Sequence, residues 1–255
     1  MDELYDLLAA CCKKLRLSSN LAARAMTVCA ESYPEYLYTL LQGEIERRQD
    51  ARITRLFNSA GFPRTYDKDA FITDEIVFPE KVNLESILNL DFFHKGKNVI
   101  MYGNTGTGKT MLSILIGMSA CSNGIPVRFY RTAGLINLFS ESKSRGTLTS
   151  LKKKLNDADI LILDEFGYVP YDRTGAELLF DYLSEIHEKK SVVLNTNLEF
   201  SRWVNVLYDQ SMTTALIGRL THHVDLILFP GGNNRLKESS INASFSYLSG
   251  GEVKR

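Results

Sequence analysis

The sequence has little of what a stapled, exported or membrane-embedded protein needs. Its four cysteines, Cys11, Cys12, Cys29 and Cys121, form no C-x-x-C pair and have no histidine at zinc-finger spacing. They read as reduced core thiols, which excludes a disulfide framework and points to the cytoplasm. Histidine is equally scarce. His94 and His187 are isolated and His222-His223 form an adjacent pair; without metal-ligand company all four read as structural or surface residues. No apolar run approaches the roughly 18 residues of a membrane span, and the opening MDELYDLL is acidic where an export signal is basic. Neither anchor nor leader is expected. Net charge is missing too, because 30 Lys and Arg balance 30 Asp and Glu. That balance excludes a globally basic nucleic-acid binder but leaves room for a local basic face. There is no repeat and no low-complexity tract, and 44% hydrophobic residues over 255 positions suffice for one large domain and a small one.

What is present begins with helices. Leu4, Leu7, Leu8, Cys11 and Leu15 recur at three- and four-residue spacing behind Asp2 and predict an amphipathic helix over 2–17. Ser18, Ser19 and Asn20 offer a second cap, with Leu21, Ala25, Val28 and Cys29 carrying the spacing up to Tyr33-Pro34. A third helix is expected from Pro34 to Asn58, with Leu37, Leu41, Ile45, Ile53 and Leu56 inside and Glu44, Glu46, Arg47, Arg48, Arg52 and Arg55 outside. Gly61-Phe62-Pro63 stops it. Tyr33, Tyr36 and Tyr38 fit a core better than a base-stacking platform, and the lone Trp203 is expected to pack. Residues 1–63 thus read as a small all-helical domain and 64–90 as a connector. Over 91–240 the pattern changes to short apolar runs at 98–102, 127–130, 159–163, 191–194 and 224–229, separated by helical patterns. The expected fold class is α/β, a five-stranded parallel sheet covered on both faces. Residues 241–255 are expected as a loose tail.

Directly after the first of these strands, Gly103-Asn-Thr-Gly-Thr-Gly108-Lys109-Thr110 fills G-x-x-x-x-G-K-[ST] and leads into an apolar helix. The glycines allow backbone N–H groups to turn around a polyphosphate, Lys109 reaches its β- and γ-phosphates, and Thr110 is a Mg²⁺ ligand. ATP contacts are therefore expected from Gly103, Asn104, Thr105, Gly106, Thr107, Gly108, Lys109, Thr110 and Met111. Ile160-Leu-Ile-Leu-Asp164-Glu165 ends a buried strand in two carboxylates, one to orient the metal and one to polarise water. Val192-Val-Leu-Asn195-Thr196-Asn197 ends the next strand in amides; Asn197 is preferred over Asn195 as the γ-phosphate sensor, with helix capping as the alternative. Arg219 closes an apolar helix, either as a finger for a neighbour's site or as dipole compensation. Residues 127–154 hold Arg128, Arg131, Lys143, Arg145, Lys152, Lys153 and Lys154 against Glu141 alone, with a loop-like Ser- and Thr-rich centre. That excess of +6 (seven cations less one carboxylate) in a neutral chain favours DNA phosphates over a merely solvated face. Arg47, Arg48 and Arg52 on the third helix are the second choice for DNA.

Five blocks taken together carry a resemblance: Asn98-Val-Ile-Met-Tyr followed by the phosphate loop, Asp164-Glu-Phe-Gly-Tyr-Val-Pro170, Thr196-Asn-Leu-Glu-Phe-Ser-Arg-Trp203, Gly218-Arg-Leu-Thr-His-His223 and Asn234-Arg-Leu-Lys-Glu-Ser239. They run in order over about residues 90 to 240, and with the helical domain ahead of them the chain resembles the IstB transposition helpers, grouped with DnaC-type helicase loaders among AAA+ ATPases. The resemblance implies an ATPase that uses ATP and Mg²⁺, assembles as a ring or filament on duplex DNA and engages the transposase of its own insertion sequence. It implies Walker A roles for Lys109 and Thr110, Walker B roles for Asp164 and Glu165, the first sensor at Asn197, the trans-acting arginine at Arg219 and a nucleotide contact at Arg235. Relatives commonly read Asp-Arg-Leu where this chain has Gly218-Arg-Leu. A helicase loader acting on single strands is the nearest alternative, and a small-molecule P-loop kinase the next.

Overall fold

The structure, a computed structural model, describes residues 2–169 and 171–232. The chain divides into two compact units, Met1–Arg55 and Leu56–Arg255.

The first unit is helical, with α1 (Asp2–Lys14), α2 (Ser19–Ala25) and the start of α3 (Tyr33–Ala60). Ser18 caps α2, its Oγ accepting from Asn20 N at 3.1 Å. α2 is shorter than its apolar spacing predicts, because the N–H groups of Thr27 and Val28 both turn back to Arg24 O. The larger correction concerns α3. Leu40, Gly43 and Glu44 form its buried face, while Leu37, Leu41 and Ile45 are exposed at 57%, 46% and 57%. The two stripes lie about 100° apart around the helix, and packing took the smaller one. At Gly43 a Cβ would fall 2.0 Å from Arg24 Nη1, so a glycine lets that guanidinium cross the helix. The tyrosines depart from the sequence reading as well: Tyr33 and Tyr38 face outward, and only Tyr36 is half-buried, its hydroxyl donating to Ala25 O. Of the four thiols, Cys12 and Cys121 are buried but Cys11 and Cys29 are exposed.

In the second unit α4 (Leu84–Leu88) and α5 (Asp91–His94) lead into β1 (Asn98–Gly103). There follow α6 (Lys109–Ser122), β2 (Val127–Arg131), α7 (Thr132–Ser144), α8 (Leu148–Asn156), β3 (Ile160–Phe166), α9 (Arg173–Ile186), β4 (Ser191–Thr196), α10 (Val204–Leu207), α11 (Gln210–Thr221) and β5 (Val224–Phe229). All five strands are parallel, in the order β2-β3-β4-β1-β5. Alternate residues feed two cores. Val99, Met101, Ile160, Ile162 and Val193 pack with α6 and the segment before β1, whereas Ile100, Leu161, Leu163, Val192 and Leu194 pack with α7, α9, α10 and α11. Trp203 is fully buried in the second of these cores, its indole N–H donating to Leu198 O at 3.1 Å and its ring 4.3 Å from that of Phe166.

The expected loop-like centre of 127–154 is helical instead. α7 and α8 are separated only by residues 145–147, with Gly146 at φ +67° making the turn. Leu135, Ile136 and Phe139 on α7 and Leu155 on α8 are buried with Leu148 and Leu151 against them, so packing overrides the weak helix propensity of the serines and threonines. The edge of β5 is covered by a short antiparallel bridge, Val77 and Leu228 exchanging two N–H···O bonds of 2.9 Å. Among the described residues no helix is long and apolar enough to cross a membrane.

Candidate nucleotide site

The site forms at the carboxyl ends of β1, β3 and β4, where the strand order places β4 between the other two. Gly103 ends β1 at φ +151°, and a Cβ there would lie 2.1 Å from Phe229 O on the neighbouring strand. Only glycine allows that approach, and it starts the loop. Gly108, at φ +102°, closes the loop as the residue before α6. Between them Lys109 folds back over the loop, its Nζ donating to Gly103 O at 2.8 Å and Asn104 O at 2.5 Å, with Thr107 Oγ1 at 3.4 Å. Burial pushes this ammonium down to about 8, against the opposing pull of Asp164. A desolvated cation satisfied only by neutral oxygens is poised for an anion that pairs with it more strongly.

Asp164 is the buried centre of a polar network. Its carboxylate accepts from Thr110 Oγ1 at 3.0 and 3.1 Å and from Asn195 Nδ2 at 2.7 Å, and its backbone oxygen accepts from Thr132 Oγ1 at 2.8 Å. Asn195 also donates to Ser113 Oγ at 3.0 Å, while its own Oδ1 is buried without a partner. Glu165, one residue on, is exposed and sits at φ +57°, where the register between β3 and β4 shifts. The irregularity turns consecutive carboxylates to different surroundings, Asp164 inward and Glu165 to the cavity, where Arg131 Nε lies 3.6 Å from its Oε2.

A cavity of about 410 Å³ joins these groups. Thr105, Gly106, Thr107, Gly108, Lys109, Thr110 and Met111 line it together with Asp164, Glu165, Asn195, Thr196 and Asn197. Asn197 is exposed just past β4, whereas Asn195 is enclosed and touches the aspartate, so the two amides differ in what they can reach. Sequence reasoning missed the opposite wall: Arg64, Tyr66, Ala70, Phe71 and Ile72 from the connector, and Tyr168 after β3. The guanidinium of Arg64 lies 5.0 Å over the Tyr66 ring and Phe71 reaches to within 3.3 Å of where a Gly108 Cβ would be, giving an aromatic wall next to the phosphate loop. No periodicity marks these residues; the Phe and Tyr content of an otherwise polar connector is the signal available. Gly103 and Asn104 contribute carbonyls to Lys109 and do not line the cavity. Arg219 is also outside it, its guanidinium 5.4 Å over the Phe180 ring, and Arg235 lies outside the described residues.

This arrangement of loop, carboxylates and strand order agrees with a family comparison. The model of the IstB-like ATP binding protein family matches residues 10–242. The chain belongs to that family. IstB-like relatives include the insertion sequence IS21 protein of Pseudomonas aeruginosa, named for ATP binding, at 33% identity over 81% of this chain and 78% of that one. The corresponding insertion sequence IS232 protein of Bacillus thuringiensis is 30% identical over 81% of this chain and 83% of that one. Among solved structures, the replication initiator DnaA bound to AMPPCP and single-stranded DNA superposes with a TM-score of 0.50 at 18% identity, covering 67% of this chain and 56% of that one. At that identity the likeness is one of fold. The sheet unit of this IstB-like ATP-binding protein has the parallel α/β architecture of a P-loop nucleotide-binding domain.

The cations expected on DNA divide sharply. Arg47 and Arg48 are paired with Glu44, at 3.0 and 2.8 Å. Arg131 faces Glu165, Arg145 Glu141 at 3.6 Å, and Lys152 Glu185 at 2.7 Å. Arg128 is half-buried and donates to Ser59 O. Lys143, Lys153 and Lys154 are exposed and have no ion pair among the described residues. Arg52 is exposed and partnered.

Proposed function

We propose that this protein is an ATP-dependent regulator of DNA transposition, which binds ATP with Mg²⁺, assembles on duplex DNA and engages the transposase of its own insertion sequence. One observation carries the reading: a complete phosphate loop and carboxylate pair, in a chain that matches about four fifths of the length of relatives named as insertion sequence ATP-binding proteins. The residues fit the nucleotide and its metal. Lys109 is desolvated and turned to the loop, Thr110 and Asp164 share one hydrogen-bonded corner, and a buried amide oxygen of Asn195 has no partner.

Each residue then has a role. Lys109 exchanges two carbonyl contacts for the β- and γ-phosphates, and the N–H groups of 105–110 turn onto the same oxygens. A Mg²⁺ ion would supply positive charge against the charge that develops on phosphoryl transfer. Thr110 and Asp164 would hold the ion, and Asn195, hydrogen-bonded to the Asp164 carboxylate, keeps that carboxylate oriented. Glu165 orients the attacking water and takes its proton. Asn197, at the mouth of the cavity, contacts the γ-phosphate. Arg219, outside this chain's own cavity, completes the site of a neighbouring subunit, which makes ATP an assembly switch. Lys143, Lys153 and Lys154, repeated along such an assembly, supply duplex contacts that add by avidity.

The test is assembly and hydrolysis on DNA with Glu165→Gln. The amide preserves shape but is a poor base, so ATP-dependent assemblies on duplex should persist while turnover falls at least about 100-fold. Normal turnover in Glu165→Gln removes its catalytic role; assembly only on single strands replaces the transposition reading with that of a helicase loader.

A further inference from the structure

At the amino-terminal edge of the sheet, opposite the nucleotide site, two helices end side by side on metal-ligating groups that the ATP reading leaves unused. His187 caps the carboxyl end of α9 just ahead of β4, and His222 caps α11 just ahead of β5. Glu188 follows His187 at φ +59°, a left-handed conformation that a glutamate adopts only under strain. Its Oε1 lies 3.8 Å from His187 Nε2 and 3.7 Å from His222 Nδ1, and all three donor atoms fall within 4.8 Å of one another. Around a tetrahedral ion with bonds near 2.1 Å, donor atoms stand about 3.4 Å apart, so small side-chain rotations close the set. The groups are exposed enough to make those rotations and to leave a fourth position for water.

The electrostatics favour a cation. Two helix carboxyl ends and one carboxylate converge here, and each helix end carries roughly half a negative charge. The ammonium of Lys190 is drawn away to the carbonyls of Asn156 and Ala158, leaving the trio free of it. Two imidazoles and one carboxylate select zinc, nickel or cobalt over magnesium, which prefers oxygen ligands alone.

We propose that His187, Glu188 and His222 form a binding site for a divalent late transition metal, which clips the carboxyl ends of α9 and α11 together. The same two helices meet where Arg219 lies over Phe180, one turn from His222, so the clip steadies the helix that presents Arg219. Calorimetric titration of the nucleotide-free full chain with zinc chloride, in excess Mg²⁺ to occupy carboxylate sites, should give one zinc per chain. His187→Ala and His222→Ala should each weaken it at least about tenfold, and His94→Ala should not. Glu188→Gly removes a ligand while relieving the left-handed strain, so it tests the site in a chain that keeps its fold. Zinc should also raise the melting temperature of the parent but not of the His187→Ala/His222→Ala variant. Failure of the parent to bind zinc, or unchanged binding in these variants, overturns the proposal.

Discussion

The two units solve the burial problem in opposite ways. In the sheet unit Val99, Phe139, Ile162 and Val193 are completely enclosed, and its buried polar groups lie mostly at the strand ends, where Asp164 and Asn195 meet the cavity. In the helical unit the buried apolar residues are Cys12, Ala22 and Leu40, and the main polar anchor is the carboxylate of Glu44, which accepts from Ser18 N, Arg47 and Arg48. Its larger apolar residues, Leu4, Leu7, Leu15, Leu37, Leu41 and Ile45, stay exposed. A sheet covered on both faces encloses its own core, whereas some fifty residues of helix have too little surface to bury and rely on charge as well.

The difference can be broken most severely at Lys109. Lys109→Ala should lower ATP affinity at least about 100-fold, because nothing else on the loop replaces a desolvated cation, yet leave the helical unit intact. Titration with labelled ATP against circular dichroism of the same sample checks both halves. The pH dependence sharpens it. ATP needs the ammonium, and the free protein holds Lys109 near 8; affinity should therefore fall up to tenfold per pH unit above 8, with proton uptake visible by calorimetry in two buffers. The lowered value has the opposite effect on folding, since the unfolded lysine binds the proton up to 10.5 and the empty chain gains stability from pH 8 to 10.5.

A middle-sized effect is expected from each unit's polar hub. Glu44→Ala should destabilise the helices by about 2 kcal/mol, and Asn195→Ala the sheet unit by a similar amount while weakening Mg²⁺-dependent ATP binding. Site-resolved amide exchange should place the first loss in 2–55 and the second around β3 and β4. Acid should mimic only the first. The Arg47 and Arg48 hydrogen bonds hold Glu44 down to about 2, so its contribution is present above the ordinary value of 4.5 and is lost as pH falls through 2. If acid loosens β3 before α3, the helical unit does not rest on this carboxylate. The smallest effect on the fold belongs to Lys143, Lys153 and Lys154. Replacing all three with Gln should change stability by no more than about 0.5 kcal/mol, but reduce the log–log salt slope of duplex binding by about 2 to 3. An unchanged slope would move the DNA contact to another face.

Local chemistry accounts for what could be read in advance. The five strands lie within a residue or two of their apolar runs at the start of each element, since alternation and flanking turns are properties of adjacent residues. The phosphate loop was legible for the same reason: its glycines and its lysine act through the backbone that carries them. Serine and threonine between 142 and 150 misled, because their weak propensity is overruled by leucines that reach the core only after the sheet exists.

Spacing and local chemistry alone thus fix the five strands, the loop of the phosphate motif and the acids that end β3, all of them relations between near neighbours. Packing between distant segments sets which stripe of α3 is covered, which amide reaches Asp164, which aromatics wall the cavity and that His187 meets His222. Those outcomes join residues tens of positions apart. They depend on strand order, on competition between packing faces and on desolvation at the point of contact, and none of these leaves a mark in the spacing of one segment.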